Sequence, residues 1–251
     1  MEIIALPAFR DNYIWLLRHG TQATVVDPGD AQPVLRHLAE NGLSLAAILI
    51  THHHADHTGG IAALLDRAAV PVHGPARESI PGVSHRVGDG DRVRVPGADF
   101  RVMDIPGHTA GHVAYYAAPN LFCGDTLFAA GCGRVFDGTP AQLHTSLERL
   151  AALPGDTQVH CAHEYTLANL AFAAAVEPDN PAVAARTAYC QALRAGEQPT
   201  VPFRLDGELL SNPFLRTREA AVVRQAEAQA GQALHGAEEV FTALREWKNR
   251  F

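Results

Sequence analysis

No stretch of this chain approaches the roughly 18 to 20 consecutive apolar residues that a membrane helix requires, so a soluble protein is expected. Lysine is nearly missing, with Lys248 the single one among 20 basic residues. Basic runs are missing too, and the formal net charge is -7, so no phosphate-tracking surface is present and nucleic acid is not expected as a partner. That balance leaves room for an anionic small molecule, which needs only a few local cations. There is no Cys-x-x-Cys pair. Cys123, Cys132, Cys161 and Cys190 are scattered, which fits reduced thiols in cytoplasm rather than a disulfide framework. The opening residues lack a basic region followed by an apolar stretch and a small-residue cleavage site, and strand-like alternation starts at the second residue, so export is not expected. Internal repeats and low-complexity tracts are also absent.

What remains is globular: 251 residues, 47% hydrophobic and 19% charged, suit one large domain or a principal domain with a smaller companion. The first half reads as short strands with interleaved helices. Alternation, β-branched and aromatic content and flanking turn residues predict strands at Ile3–Leu6, Tyr13–Arg18, Ala23–Val26, Ala46–Thr51, Val93–Val95, Phe100–Asp104, Val113–Ala117 and Leu121–Cys123. Helical patterns lie at Gln32–Asn41, Ile61–Ala69 and Thr139–Ala152, so an α/β architecture with helices outside sheets is expected. After about Tyr165 the sequence turns Ala-rich and helical, broken at Pro178, Pro181, Pro199, Pro202 and Pro213. A principal domain over 1–165 and a helical domain over 166–251 are therefore expected.

The chemistry concentrates where the apolar run Ala46–Thr51 enters His52-His53-His54-Ala55-Asp56-His57, followed by Thr58-Gly59-Gly60. In a strand, residues two apart share a side, so His52 and His54 can converge on one ion while His53 points away. Asp56 and His57 then fall near a helix start, where they can serve a second ion beside the first. Gly59 and Gly60 permit close backbone approach there. Imidazole with carboxylate suits zinc, iron or manganese. Further donors follow extended segments: His108 on a Pro-Gly turn, Asp125 after a buried-looking strand, and His163 after Val159-His160-Cys161. A carboxylate at Asp125 has two oxygens with which to bridge two ions.

In this order the donors resemble the metallo-β-lactamase superfamily, whose pattern runs through His-x-His-x-Asp-His, a later His, an Asp and a final His. The segments Thr-His-His-His-x-Asp-His-x-Gly-Gly, Pro-Gly-His-Thr-x-Gly-His, Gly-Asp-Thr-Leu-Phe-x-Ala-Gly-Cys-Gly-Arg and Cys-x-His-Glu-Tyr-Thr narrow the resemblance to the hydroxyacylglutathione hydrolases, the glyoxalase II family. Asn169-Leu170, Asn212–Arg216 and Leu244–Lys248 continue it toward the end of the chain. The resemblance implies a four-layer αββα sandwich with a C-terminal helical domain. It implies two divalent metal ions, zinc foremost with iron or manganese as options: His52, His54 and His108 on one, Asp56, His57 and His163 on the other, Asp125 between them. It also implies substrate contacts at Arg134, Tyr165, Arg245 and Lys248, while Phe136 stands where family members carry tyrosine. His112 falls outside the ligand set.

The implied reaction is hydrolysis of an S-(2-hydroxyacyl)glutathione thioester, S-lactoylglutathione in methylglyoxal detoxification, by a hydroxide held between the metals, with Asp56 orienting it. Glutathione leaves as a thiolate, so no strong general acid is required. Glu164 reads as a supporting or solvated group, and Cys123 and Cys132 as core or loop thiols. A monomer with a glutathione thioester as its partner is expected. The alternative on the same scaffold is a mononuclear-iron glutathione persulfide dioxygenase, disfavoured by the presence of Asp56, His57 and His163 together with Arg245 and Lys248.

Overall fold

The computed structural model describes residues 1–251, which divide into two compact units, Met1–Asp104 with Thr109–Gly124, and Ile105–His108 with Asp125–Phe251. The first unit opens with β1 (Glu2–Ala8), β2 (Asn12–His19) and β3 (Gln22–Val26), then α1 (Ala31–Asn41), β4 (Ser44–Leu49), the short α2 (Ala55–Thr58) and α3 (Ile61–Leu65), β5 (Val72–Pro75) and β6 (His85–Val87). Its first sheet runs in the order β1 to β6, antiparallel among β1, β2 and β3 and parallel from β3 onward. The strands β7 (Arg92–Val95), β8 (Ala98–Asp104), β9 (Val113–Ala117) and β10 (Asn120–Gly124) form an antiparallel meander.

Strand β2 shows why these layers stack: its first six residues are all buried. Successive side chains of a strand face opposite sides, so both faces of β2 must be covered. Ile14 and Leu16 join the cluster formed with Val34 and Leu38 of α1 and Ile61 and Leu64 of α3. Trp15 points the other way and meets Phe122 of β10 edge-on at 6.4 Å, with Phe100 of β8 against Phe122 at 5.8 Å. The unit is thus helix, sheet, sheet. Local signals set the bounds of α1, where the Asp30 carboxylate accepts from Gln32 N and Gly42 closes the helix at φ 61.

The second unit contains the hairpin of β11 (Leu127–Phe128) and β12 (Gly131–Cys132), α4 (Pro140–Ala151), β13 (Gln158–Cys161), α5 (Thr166–Val176), α6 (Pro181–Ala195), β14 (Phe203–Arg204), α7 (Leu205–Ser211), a 3-10 turn (Pro213–Leu215), α8 (Ala220–Ala230) and α9 (Ala237–Arg250). Strand β13 pairs antiparallel with β14. Helix α4 packs against α9, α5 against α6 and α8. The centre is aromatic: Phe172 meets Phe214 at 5.8 Å and Trp247 at 5.0 Å, and Phe214 meets Phe241 at 5.7 Å. Burying each such phenyl ring contributes about 2 to 3 kcal/mol. Pro181 and Pro213 start helical turns, each after an asparagine whose side chain caps the next backbone N–H groups. Two expectations need adjusting. The helix expected over Ile61–Ala69 stops at Leu65, with Asp66 as its cap, and the strand expected at Ala46–Thr51 is Ser44–Leu49, two residues earlier.

Candidate functional site

In the first unit, β3 and β4 are parallel neighbours with Val26 opposite Leu49, so both chains leave the sheet at the same edge. Asp27 follows one strand and Thr51–His57 the other. Asp27 is buried, adopts φ 52, and uses both carboxylate oxygens: Oδ1 accepts from Thr51 N at 2.8 Å, and Oδ2 accepts from Thr51 Oγ1 at 2.7 Å and faces His57 Nδ1 at 3.1 Å. The hydroxyl proton of Thr51 is committed to Asp27, so at 3.1 Å its oxygen accepts from His52 Nδ1. These partners fix both imidazole tautomers, leaving Nε2 of His52 and of His57 as the basic nitrogens. Asp27 was not anticipated from the sequence.

His52 Nε2 lies 3.1 Å from His54 Nδ1, so the two histidines do face each other. The reason differs from strand alternation, because β4 has already ended at Leu49; His54 is extended (φ -61, ψ 146) just ahead of α2, and that swing returns its ring to His52. His53 points elsewhere, its Nδ1 3.0 Å from Glu78 Oε2. Glu78 is buried and also accepts from Thr109 Oγ1 and, at 3.2 Å, from Gly111 N. Asp56 and His57 sit in the first turn of α2. The Asp56 carboxylate accepts from Asn12 Nδ2 at 3.0 Å and lies 3.5 Å from His57 Nε2. His112 stacks on His52 with ring centroids 4.5 Å apart. A side chain at Gly60 would meet Pro28 O at 2.4 Å, so glycine is required for α2 and α3 to approach the Asp27 turn this closely.

In the second unit, the Pro106-Gly107 turn delivers His108. Gly107 has φ 143, and a Cβ there would lie 2.4 Å from Leu143 Cα of α4, so only glycine fits. His108 Nδ1 donates to Arg134 O at 2.8 Å, which turns Nε2 toward Asp125 Oδ2 at 3.5 Å. The other oxygen, Asp125 Oδ1, is 3.3 Å from His163 Nε2. One buried carboxylate therefore faces a different imidazole with each oxygen. His163 stacks on Tyr165 with centroids 4.7 Å apart, and Phe128 stands edge-on to both rings. Phe136 is largely exposed and meets His108 edge-on at 5.2 Å, so aromatic packing persists there without a hydroxyl.

The cationic residues Arg245 and Lys248 are one turn apart on α9. Arg245 is buried, donates from Nη1 to Cys132 O at 2.9 Å and lies over the Phe214 ring at 5.2 Å. Lys248 Nζ donates to Ala168 O at 2.9 Å and lies over the rings of Phe172 and Phe251. Burial, reinforced by the charges of Arg245 and Arg134, lowers the Lys248 ammonium pKa to about 8. Arg134 is exposed. Glu164 is engaged structurally, its Oε2 accepting from Thr200 N at 2.9 Å and its Oε1 from Thr200 Oγ1. All four cysteines are buried thiols outside any disulfide, and burial pushes the Cys132 thiol up, against the pull of Arg245.

Within each unit the donor set, imidazole nitrogens with carboxylates, suits divalent cations. Residues 8–163 match the family model of the metallo-beta-lactamase superfamily, and residues 164–251 match that of the hydroxyacylglutathione hydrolase C-terminus. A protein of Dechloromonas aromatica (strain RCB) named hydroxyacylglutathione hydrolase is 53% identical, with 100% of both chains covered. Among solved structures, ETHE1 from Myxococcus xanthus is 33% identical with a TM-score of 0.60, covering 66% of this chain and 76% of that one. The BLEG-1 B3 metallo-beta-lactamase is 22% identical with a TM-score of 0.65, covering 85% and 99%, a likeness of fold alone. No helix is long and apolar enough to cross a membrane.

Proposed function

Because the chain belongs to the hydroxyacylglutathione hydrolase family of the metallo-β-lactamase superfamily, we propose that it hydrolyses S-(2-hydroxyacyl)glutathione thioesters, S-lactoylglutathione foremost, to glutathione and a 2-hydroxy acid. Its fold is the superfamily's, with mixed sheets and helices and a C-terminal helical segment. The observation that carries the activity is the coexistence, within the second unit, of a carboxylate straddling two imidazoles and a cluster of cations on α9. The first is suited to metals and the second to the carboxylates of a glutathione conjugate.

In this reading one ion takes His52, His54 and His108, the second takes Asp56, His57 and His163, and Asp125 serves both. Zinc is the first candidate, with iron or manganese accepted by the same donors. When bound, such ions acidify water toward neutral pH and polarise a thioester carbonyl. The chain's own residues do the remaining work. Asp27 and the Arg134 carbonyl fix the tautomers of His57 and His108. Asp56, steadied by Asn12, orients the attacking water. Arg134, Tyr165, Arg245 and Lys248 hold the glutathione moiety so that its carbonyl is positioned for attack. The new bond is carbon to oxygen, the broken one carbon to sulfur, and the thiolate leaves without needing a strong acid. Glu164 is accordingly spared for holding Thr200. Residues 1–165 would carry the chemistry and 166–251 the substrate, in a monomeric cytoplasmic enzyme acting in methylglyoxal detoxification; four cysteines outside any disulfide fit that compartment.

The test is steady-state hydrolysis of S-lactoylglutathione against a non-glutathione thioester, before and after chelation, with oxygen uptake monitored on glutathione persulfide. Chelator-sensitive turnover favouring the glutathione thioester, without oxygen uptake, is expected. Oxygen consumption without thioester hydrolysis would replace this reading with the dioxygenase.

Lys248 adds a pH dependence. With its pKa lowered to about 8, the ammonium is present below that pH and is lost above it. KM for the thioester is therefore expected to rise between pH 7.5 and 9.5, approaching about tenfold per unit at the upper end if this charge dominates binding. Lys248→Arg, which stays charged, should flatten the rise, and Lys248→Ala should raise KM most below pH 8 and approach wild type above it, while metal content is unchanged. A KM insensitive to both variants removes Lys248 from substrate binding.

A further inference from the structure

The β11–β12 hairpin lies between Asp125 and Arg134, and its backbone is held almost group by group by side chains from helical segments of the same unit. Ala130 N donates to Glu208 Oε2 at 2.8 Å. Asn212 Nδ2 donates to Gly131 O at 3.0 Å and Phe128 O at 3.3 Å. Asn169 Nδ2 donates to Ala129 O at 3.1 Å, and Arg245 Nη1 to Cys132 O at 2.9 Å. A Cβ on Gly131 would fall 2.5 Å from the Asn169 side chain, so the hairpin is fitted to that amide.

Ala130 adopts φ 53, a left-handed conformation that alanine disfavours by about 1 kcal/mol or more, so something outside the hairpin must hold it. Glu208 is placed to do so. Its carboxylate is fully buried, accepts from both Ala130 N and Asn212 Nδ2, and is paired with Arg186. Arg186 in turn donates to Ser211 Oγ at 2.9 Å and lies over the Phe203 ring at 5.5 Å. Burial pushes the Glu208 carboxyl up, and Arg186, Asn212 and Ala130 pull it back down. A buried ion pair is expensive to assemble and often adds little stability, whereas it does fix one arrangement of its hydrogen-bond partners. Here those partners are the turn residue of the hairpin and the amide that spans it.

We propose that Glu208, clamped by Arg186 and working through Asn212, is a positioning residue for substrate binding: it locks the β11–β12 hairpin so that Arg134, two residues beyond β12, is presented to the glutathione moiety. The proposal rests on the thioesterase reading above. It assigns Glu208 no contact with substrate; at the hairpin's downstream end Gly133 N donates to Thr126 O at 3.2 Å.

The test compares the wild-type protein with Glu208→Gln and Asn212→Ala, the second leaving the ion pair intact in case the first folds poorly. Both are expected to raise KM for S-lactoylglutathione about tenfold, with smaller changes in kcat and in metal content per chain, because Arg134 O also holds His108. Amide hydrogen exchange over residues 127–134 is expected to accelerate at least tenfold, while α4 and α8 keep wild-type protection. Variants that lose thermal stability but retain wild-type KM and wild-type exchange over 127–134 would show an ordinary core ion pair and overturn the proposal. If the wild-type protein hydrolyses no glutathione thioester, the thioesterase reading fails by itself, and exchange over 127–134 still decides whether Glu208 holds the hairpin.

Discussion

Replacing Asp125 with Ala is expected to release metal and abolish thioester hydrolysis together. Asp125 turns its two oxygens toward two different imidazoles, 3.5 Å from His108 Nε2 and 3.3 Å from His163 Nε2. Removing it takes away a negative charge that offsets the cations of both proposed sites, so neither site keeps its affinity. Turnover should fall at least about a thousandfold, equivalent to about 4 kcal/mol of transition-state stabilisation. Asp125→Asn separates charge from shape, because the amide keeps one acceptor oxygen and loses the second along with the charge. It should retain at most one ion. Metal per chain after dialysis, measured beside kcat, checks both variants. Two ions retained at wild-type kcat in the alanine variant would remove Asp125 from the bridging role.

The sequence made the donors legible before the scaffold that aims them. Four histidines and an aspartate over His52–His57 stand out because so dense a cluster has no ordinary structural explanation, while β8 announces itself by period and β2 by its apolar and aromatic run. Strands β5, β6 and β14 do not: they span four, three and two residues, and Gly74 and Pro75 weaken the local signal of β5. Their pairing is set by neighbours distant in the chain. The same limit hid Asp27 and Glu78. A carboxylate in a turn looks like turn chemistry until the fold brings Thr51, 24 positions later, against it. His53 was readable as the histidine that does not join the others, but its pairing with Glu78 was not, because nothing local links the two. On the substrate side, residue type marked Arg245 and Lys248 as cations, while the burial of Arg245 beneath the carbonyl of Cys132 depends on packing that sequence spacing does not encode.

Asp27→Ala should produce the largest effect of any residue outside the proposed ligand set. The substitution strands three groups at once: the Thr51 backbone N–H, the Thr51 hydroxyl and His57 Nδ1, all buried. A buried donor left without its acceptor costs about 1 to 3 kcal/mol. With partial rescue by water, a loss of about 3 kcal/mol is expected, lowering Tm by about 6 to 12 °C. Loss of tautomer control at His52 and His57 should weaken metal affinity about 10- to 100-fold, the range typical for partners behind the ligands. Asp27→Asn divides these effects. Its amide oxygen still accepts from Thr51 N, and aspartate and asparagine both tolerate the φ 52 backbone, so the loss of stability should be smaller than in alanine. Its NH2 group, placed where Oδ2 accepted, now opposes both Thr51 Oγ1–H and His57 Nδ1–H. Metal affinity should therefore fall in both variants and Tm further in Ala than in Asn. Metal competition with a chromophoric chelator, read beside thermal unfolding of the metal-free protein, distinguishes the two. Equal metal affinity in wild type and Asp27→Asn would show that the Asp27 carboxylate supports only the fold.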